Sequence, residues 1–188
     1  TGGIDAFALG IYSVNPDAEV YVKVTNSWYD PKAEEEASRK LLDMNCDVIA
    51  QHCDTVYPQT LAQQKGVYSI GYNSDMSKEA PEACLCSVIW NWSAYYTSAV
   101  QSVIDGTWDG SNYYGGMNEN LVSITPIADF AAAATKEKVN MAKQQILSGK
   151  NGVFDGVIET NTGAEVGTAG KTLEDSVITG GINWYFKT

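Results

Sequence analysis

Two segments decide how the chain folds: Asp47-Val48-Ile49-Ala50-Gln51 and Val67-Tyr68-Ser69-Ile70-Gly71-Tyr72. Each is a short run rich in β-branched and aromatic residues, bounded by turn formers, as expected of a buried strand. Between them lie His52-Cys53-Asp54, a loop, and a helix predicted from Tyr57 or Pro58 to Lys65, closed by Gly66. Strand, helix and strand in this order imply a parallel pair joined by a right-handed crossover.

Upstream, Asp30 is placed to cap a helix and Pro31 suits its first position. Ala33, Ala37 and Leu41 recur at i+4 and are expected to face the sheet. Glu34, Glu35 and Glu36 sit near the positive end of the helix dipole and read as a solvated turn. Glu19 to Val24 reads as a further strand, with Asn26-Ser27-Trp28-Tyr29 as the loop after it. Gly3 to Val14 reads as a helix showing Ile4, Phe7, Ala8 and Ile11 on one face, stopped by Asn15-Pro16-Asp17.

Downstream, Cys86 to Trp90 is predicted as a strand. Ser93 to Ile104 follows as a helix with Tyr96, Val100 and Ile104 along one side. Gly106 to Gly116 is loop-like, Leu121 to Thr125 a strand, Ala128 to Ser148 a helix and Val153 to Ile158 a strand. Residues 159 to 172 read as a solvated turn, and Gly180-Gly181 interrupts Leu173 to Lys187. The repeated alternation predicts an α/β fold with a parallel sheet. Ligands of such sheets sit beyond the carboxyl ends of the strands. Four such ends are rich in aromatics, amides and acids: Asn26 to Tyr29, His52 to Asp54, Asn73 to Asp75, and Trp90 to Trp92. A planar ligand would stack on these rings while polar neighbours read its edge. One of Trp90 and Trp92 is expected in the core.

Composition narrows the function. The chain has 188 residues and a net charge of −11, which disfavours nucleic acid and anionic membrane surfaces as partners. No apolar run reaches the length of a membrane-spanning helix, and no basic, apolar leader opens the chain. Cys46, Cys53, Cys84, Cys86 and the single His52 lack zinc-site spacing, so no metal is expected. Cys46 and Cys84 adjoin apolar runs and read as small packing residues. A nucleophilic Cys53 beside His52 and Asp54 would make the protein an enzyme. Neighbours in a chain rarely aim at one another, however, so no enzyme is predicted. Gly163 to Thr172 ends in Gly170-Lys171-Thr172, yet Glu165 stands where a phosphate loop needs its first glycine. Asn91-Trp92-Ser93 fits a glycosylation acceptor and is discounted as one.

Five ordered blocks resemble the basic membrane protein (BMP) family of ABC-transporter substrate-binding proteins, including its purine nucleoside receptor type. They are Ile4 to Gly10 with Ser13 to Pro16, Thr25 to Pro31, Asp47 to His52, Gly66 to Ser77, and Val88 to Trp92. The resemblance implies a three-layer lobe of the two-lobed periplasmic-binding-protein type I fold, matching the family's C-terminal half. Residues 1–92 would be that lobe's sheet, 93–125 a crossover toward a missing N-terminal lobe, and 126–188 a returning helix, strand and tail. The missing lobe would also account for a chain that opens on a helix rather than a strand.

By the same resemblance, the ligand is a purine base or nucleoside held between lobes, with no cofactor. Trp28 is the first stacking candidate, with Asn26 and Tyr29 beside it. Asp75 would accept hydrogen bonds from sugar hydroxyls or a ring N–H, Asn73 is a further ligand-binding candidate, and His52 and Asn91 would read ring edges. Trp90 stands where the nucleoside branch has a lysine, which suits a bare base. The resemblance further implies an ABC permease as partner, a periplasmic or lipid-anchored location, and transport as the role. The alternatives are a flavin-like heterocycle and a ligand sensor without a transporter.

Overall fold

The computed structural model describes residues 2–150 and 152–187. They form two compact units, one running from residue 23 to 138, the other joining residues up to 22 with those from 139 on.

The 23–138 unit carries a four-stranded sheet. Helix α2 (Pro31–Asp43) starts as its sequence dictates: Asp30 takes an extended conformation and its side chain accepts the Ala33 N–H at 3.0 Å, with Pro31 in the first turn. Strand β1 (Val48–Ala50), helix α3 (Tyr57–Lys65) and strand β2 (Tyr68–Asn73) follow as a parallel crossover unit. Gly66, at φ 75°, ends α3 in the left-handed conformation that glycine adopts without a steric cost. Strand β3 (Cys84–Trp90) adds in parallel to β2, two residues earlier than the Cys86 start expected, with a register shift near Ser69. The strand order is β1-β2-β3-β4, and β4 (Val122–Ile124) is antiparallel to β3. An antiparallel edge on a mainly parallel sheet is common in α/β folds.

The core is local to this crossover. Leu42, Ile49, Leu61 and Ala62 are buried together, and Cys46 packs against them, as a small apolar residue should. A second cluster, Met76, Ala80, Ala83 and Cys84, lies under the start of β3. Gly71 of β2 faces Ser87, whose Oγ accepts the Met76 N–H at 3.1 Å. A Cβ at position 71 would strike that Oγ and press on Met76, so glycine is what lets the Asn73–Ser77 loop close over the sheet.

Three expectations are corrected here. Glu19 to Val24 joins no ladder; β-propensity is realised only where a neighbouring edge completes the hydrogen bonds, and this segment runs across the junction of the two units. The fully buried residues of α2 are Glu34, Ser38 and Leu42; Leu41 packs against the core as expected, whereas Ala33 and Ala37 are only half-buried. Glu34 is therefore no solvated residue, because donors from outside the helix draw it inward; Glu35 and Glu36 behave as expected, pairing with Arg39 and Lys40. Helix α4 (Ser93–Ile104) buries none of its residues, and Tyr96, Val100 and Ile104 are exposed.

In the other unit, α1 (Gly2–Val14) buries Asp5 and Ala8. Asp5 accepts the Phe186 N–H at 2.6 Å, and burial raises its carboxyl pKa. Helix α5 (Ala133–Leu147), which belongs to this unit from residue 139 on, begins later than Ala128, since Ala128 to Ala131 form a turn. Strand β5 (Asp155–Glu159) pairs antiparallel with β6 (Glu165–Thr172). Residues 159 to 172 are thus a hairpin arm rather than a turn, exposed along most of its length as expected: the ladder pairs their backbone, and Asp155 engages the Thr172 hydroxyl.

Candidate functional site

At the carboxyl end of the parallel strands, three aromatic rings meet. His52 lies between Trp28 (centroids 5.4 Å apart, planes at 74°) and Tyr72 (4.5 Å, 70°), both edge to face. Tyr72 was not among the expected site residues. The sequence signal for it is its place as the last residue of the strand-like run before Asn73; its pairing with Val88, which sets it on the sheet face of Trp90 two residues on, is visible in the structure alone. Trp28 remains 63% exposed despite its contact with His52, leaving ring surface open to a ligand.

The loops that carry these rings are stitched together. The Asp54 N–H donates to the Trp28 carbonyl at 2.9 Å. The Gln51 amide donates to the carbonyls of Cys53 (2.8 Å) and Thr55 (2.7 Å), and Gln59 in turn donates to Gln51 at 2.6 Å. Asn73, held at φ 68°, reaches across to donate to Asp54 at 3.2 Å. Asn26, at φ 55°, turns the chain into the Trp28 loop. Asn26 and Tyr29 are both exposed. Asp75 is exposed as well, and its carboxylate accepts the Ser77 N–H at 3.0 Å, which lowers its pKa.

A second aromatic group begins at the end of β3. Trp90 stacks on Trp92 (5.3 Å, 16°), and Trp92 on Tyr96 (5.8 Å, 18°). Neither tryptophan is buried, contrary to expectation: with α4 not packed over the sheet, the indoles cover one another instead. Asn91 donates its N–H to the Leu121 carbonyl and accepts the Ser93 hydroxyl at 2.5 Å. The structure thus brings Trp28, His52 and, through Asp54, Asn73 into one group, with Trp90 and Asn91 in another.

The electrostatics suit a neutral, flat partner. Shielding from water between Trp28 and Tyr72 lowers the His52 pKa, partly opposed by Asp54, so the imidazole is neutral at pH 7. Cys53 faces Thr25 Oγ1 (3.5 Å) and the Ser27 carbonyl. Burial raises its pKa, which works against a nucleophilic thiolate. Among the described residues, no three His, Cys, Asp or Glu side chains gather to hold a metal. A surface groove between α2 and α3, lined by Arg39, Leu42, Asp43, Leu61, Gln64 and Lys65, lies away from the rings. No helix among the described residues is long and apolar enough to cross a membrane.

Comparison with known proteins places these features in a family. Residues 1–153 match the Bmp family of ABC transporter substrate-binding proteins, described as PnrA-like. The chain is 37% identical over 183 residues to a purine-binding protein of Brucella abortus, covering 97% of this chain and 52% of the relative. It is 35% identical over 153 residues to a Haloferax volcanii protein named as an ABC transporter glucose-binding protein, covering 81% of this chain and 39% of that one. Among solved structures, an ABC solute-binding protein of Conexibacter woesei superposes with a TM-score of 0.58 at 20% identity, over 80% of this chain and 53% of that one. A second, from Aeropyrum pernix, gives 0.61 at 16% identity, over 79% and 51%. The chain spans about half the length of the relatives it matches. The fold expected of it, an α/β lobe with a parallel sheet, is the fold observed. The chain belongs to the PnrA-like (Bmp) family of ABC transporter substrate-binding proteins.

Proposed function

We propose that this chain is the C-terminal lobe of an extracytoplasmic receptor that captures a purine base or nucleoside for an ABC importer. The carrying observation is the Trp28–His52–Tyr72 group with its polar companions Asn73 and Asp54 at the strand ends. An exposed indole offers a stacking face, and neutral His52 offers one ring donor and one acceptor for a heterocycle's edge. Trp90 and Asn91 are the further candidates on β3, with Asn26, Tyr29 and Asp75 at the rim. The purine-binding relative from Brucella abortus supports this ligand class.

On this proposal, residues 1–92 supply the lobe's sheet, 93–125 cross toward an N-terminal lobe, and 126–188 return. Closure of the two lobes around the ligand is the whole mechanism, the permease reads the closed form, and no covalent step is required. A periplasmic or lipid-anchored location follows from the same role. Trp90 favours a base over a nucleoside because a second ring adds stacking where a sugar would need polar partners.

Calorimetric titration of the full-length, ligand-stripped protein with adenine, adenosine, guanosine, riboflavin and glucose tests this. Micromolar or tighter binding of adenine, stronger than of adenosine, is the expected result. Binding of riboflavin or glucose alone would overturn the purine assignment and leave the receptor role standing. A ligand-sensing role without transport is a second reading, favoured by a 28% identical Bacillus subtilis relative named as a transcriptional activator.

A further inference from the structure

Glu34 is 2% exposed, yet it is a carboxylate in the first turn of a surface helix. An ion so placed is costly unless its oxygens are met by donors. Three donors meet it. Oε1 accepts the Asp30 N–H at 3.1 Å, and Oε2 accepts both the Thr55 N–H (3.1 Å) and the Thr55 hydroxyl (2.7 Å). The bond to Asp30 alone would be a local helix cap. The bonds to Thr55 are different, because they reach 21 residues along the chain to the loop that carries His52. Asp30 ends the loop that carries Trp28, so one carboxylate grips both loops at their roots. Immediately beyond, the Asp54 N–H binds the Trp28 carbonyl, and Trp28 meets His52 edge to face.

We infer that Glu34 is a positioning residue for ligand recognition: by clamping Asp30 to Thr55 it sets the Trp28 ring against His52, without touching the ligand itself. The inference rests on the proposed site for its ligand and on the loop geometry for its mechanism. Glutamine at 34 has the same size but turns one acceptor oxygen into a donor facing donors, so one half of the clamp must open. Valine at 55 removes only the hydroxyl bond, and serine at 55 keeps it.

The test uses the full-length protein and the variants Glu34→Gln, Thr55→Val, Thr55→Ser, Trp28→Ala and the Glu34→Gln/Trp28→Ala pair. Hydrogen exchange is followed without ligand, and affinity is measured with adenine as the probe. Glu34→Gln is expected to speed exchange of the Asp54 amide on the order of tenfold, with β2 amides unchanged. It should weaken adenine binding about tenfold, as expected for a bond to a charged group. Thr55→Val should show both effects more weakly, and Thr55→Ser neither. In the Trp28→Ala background, Glu34→Gln should cost no further affinity, because its effect runs through that ring.

Wild-type Asp54 exchange in both Glu34→Gln and Thr55→Val would overturn the clamp. An equal affinity loss with and without Trp28 would overturn the route through Trp28. If Glu34→Gln fails to fold, Thr55→Val against Thr55→Ser decides by the same readouts. If the unmodified protein binds no adenine, the purine reading fails, and Asp54 exchange still decides the clamp.

Discussion

Trp28 is the residue on which recognition should depend most. Its indole is exposed, its backbone is fixed by Asp54, and its edge is set by His52. Stacking of a base on an aromatic ring is worth about 1–3 kcal/mol by alanine substitution. Trp28→Ala should therefore weaken adenine binding roughly 10- to 100-fold by calorimetry, leaving the denaturation midpoint close to wild type. His52 makes a separate prediction. Its pKa is lowered in the fold, so the unfolded chain takes up the proton first. The stability it contributes is complete above the unfolded value of about 6.5 and is lost as pH falls below that toward the lower folded value. His52→Gln should remove this part of the decline in urea stability on going from pH 7 to the acid side. The imidazole resonance can be followed without ambiguity, because His52 is the sole histidine. Stability loss of equal steepness in the His52→Gln protein would refute the assignment. Trp28 and His52 stood out in the sequence because rings and amides gathered just past strand-like runs. Glu34 did not, since its burial depends on donors from Thr55 far along the chain.

Among the elements, those with local signals were legible. The Asp30 cap, Pro31, the Gly66 stop and the two apolar runs around α3 each act within a few residues, and α2, β1, α3 and β2 stand where those signals put them. Pairing is another matter. Nothing local in Leu121 to Thr125 says that β4 runs antiparallel to β3, and nothing in the β-branched run Glu19 to Val24 says that no edge receives it. In α2, Ala33 and Ala37 have the spacing of a core face, yet a buried carboxylate, Glu34, and Ser38 hold the fully buried positions beside them. Gly71 carries the prediction at this scale. Gly71→Ala would force Ser87 and Met76 apart and lift the loop that ends in Asp75. Overpacking of this kind costs about 1–3 kcal/mol. A lower urea midpoint with unchanged slope is the expected outcome, and wild-type stability would show that the loop has room to give.

At the scale of the molecule, the chain is strongly acidic, and its candidate site presents neutral rings. Adenine is uncharged at neutral pH, so its affinity should change little between 50 and 500 mM sodium chloride, since there is little charge to screen. A steep salt dependence would point to an ionic ligand instead. Binding to the native state alone should stabilise the full-length protein by about 2.7 kcal/mol at a ligand concentration 100 times Kd. A denaturation midpoint unmoved by adenine under those conditions would mean that calorimetric heat, if seen, came from another process. The acidic balance disfavours nucleic acid at the level of composition, whereas composition says nothing of which small solute is bound.

The hydrogen bond from the Asp54 amide to the Trp28 carbonyl has an evolutionary consequence. It joins main chain to main chain, so it survives any substitution at position 28 that preserves the backbone. The side chain there is thereby uncoupled from the path of its loop. A receptor built this way can exchange its tryptophan for tyrosine, phenylalanine or a polar residue and present a new surface at an old position. Diversity of solutes among relatives of one fold would then need few steps, each tolerated by the scaffold before it is useful.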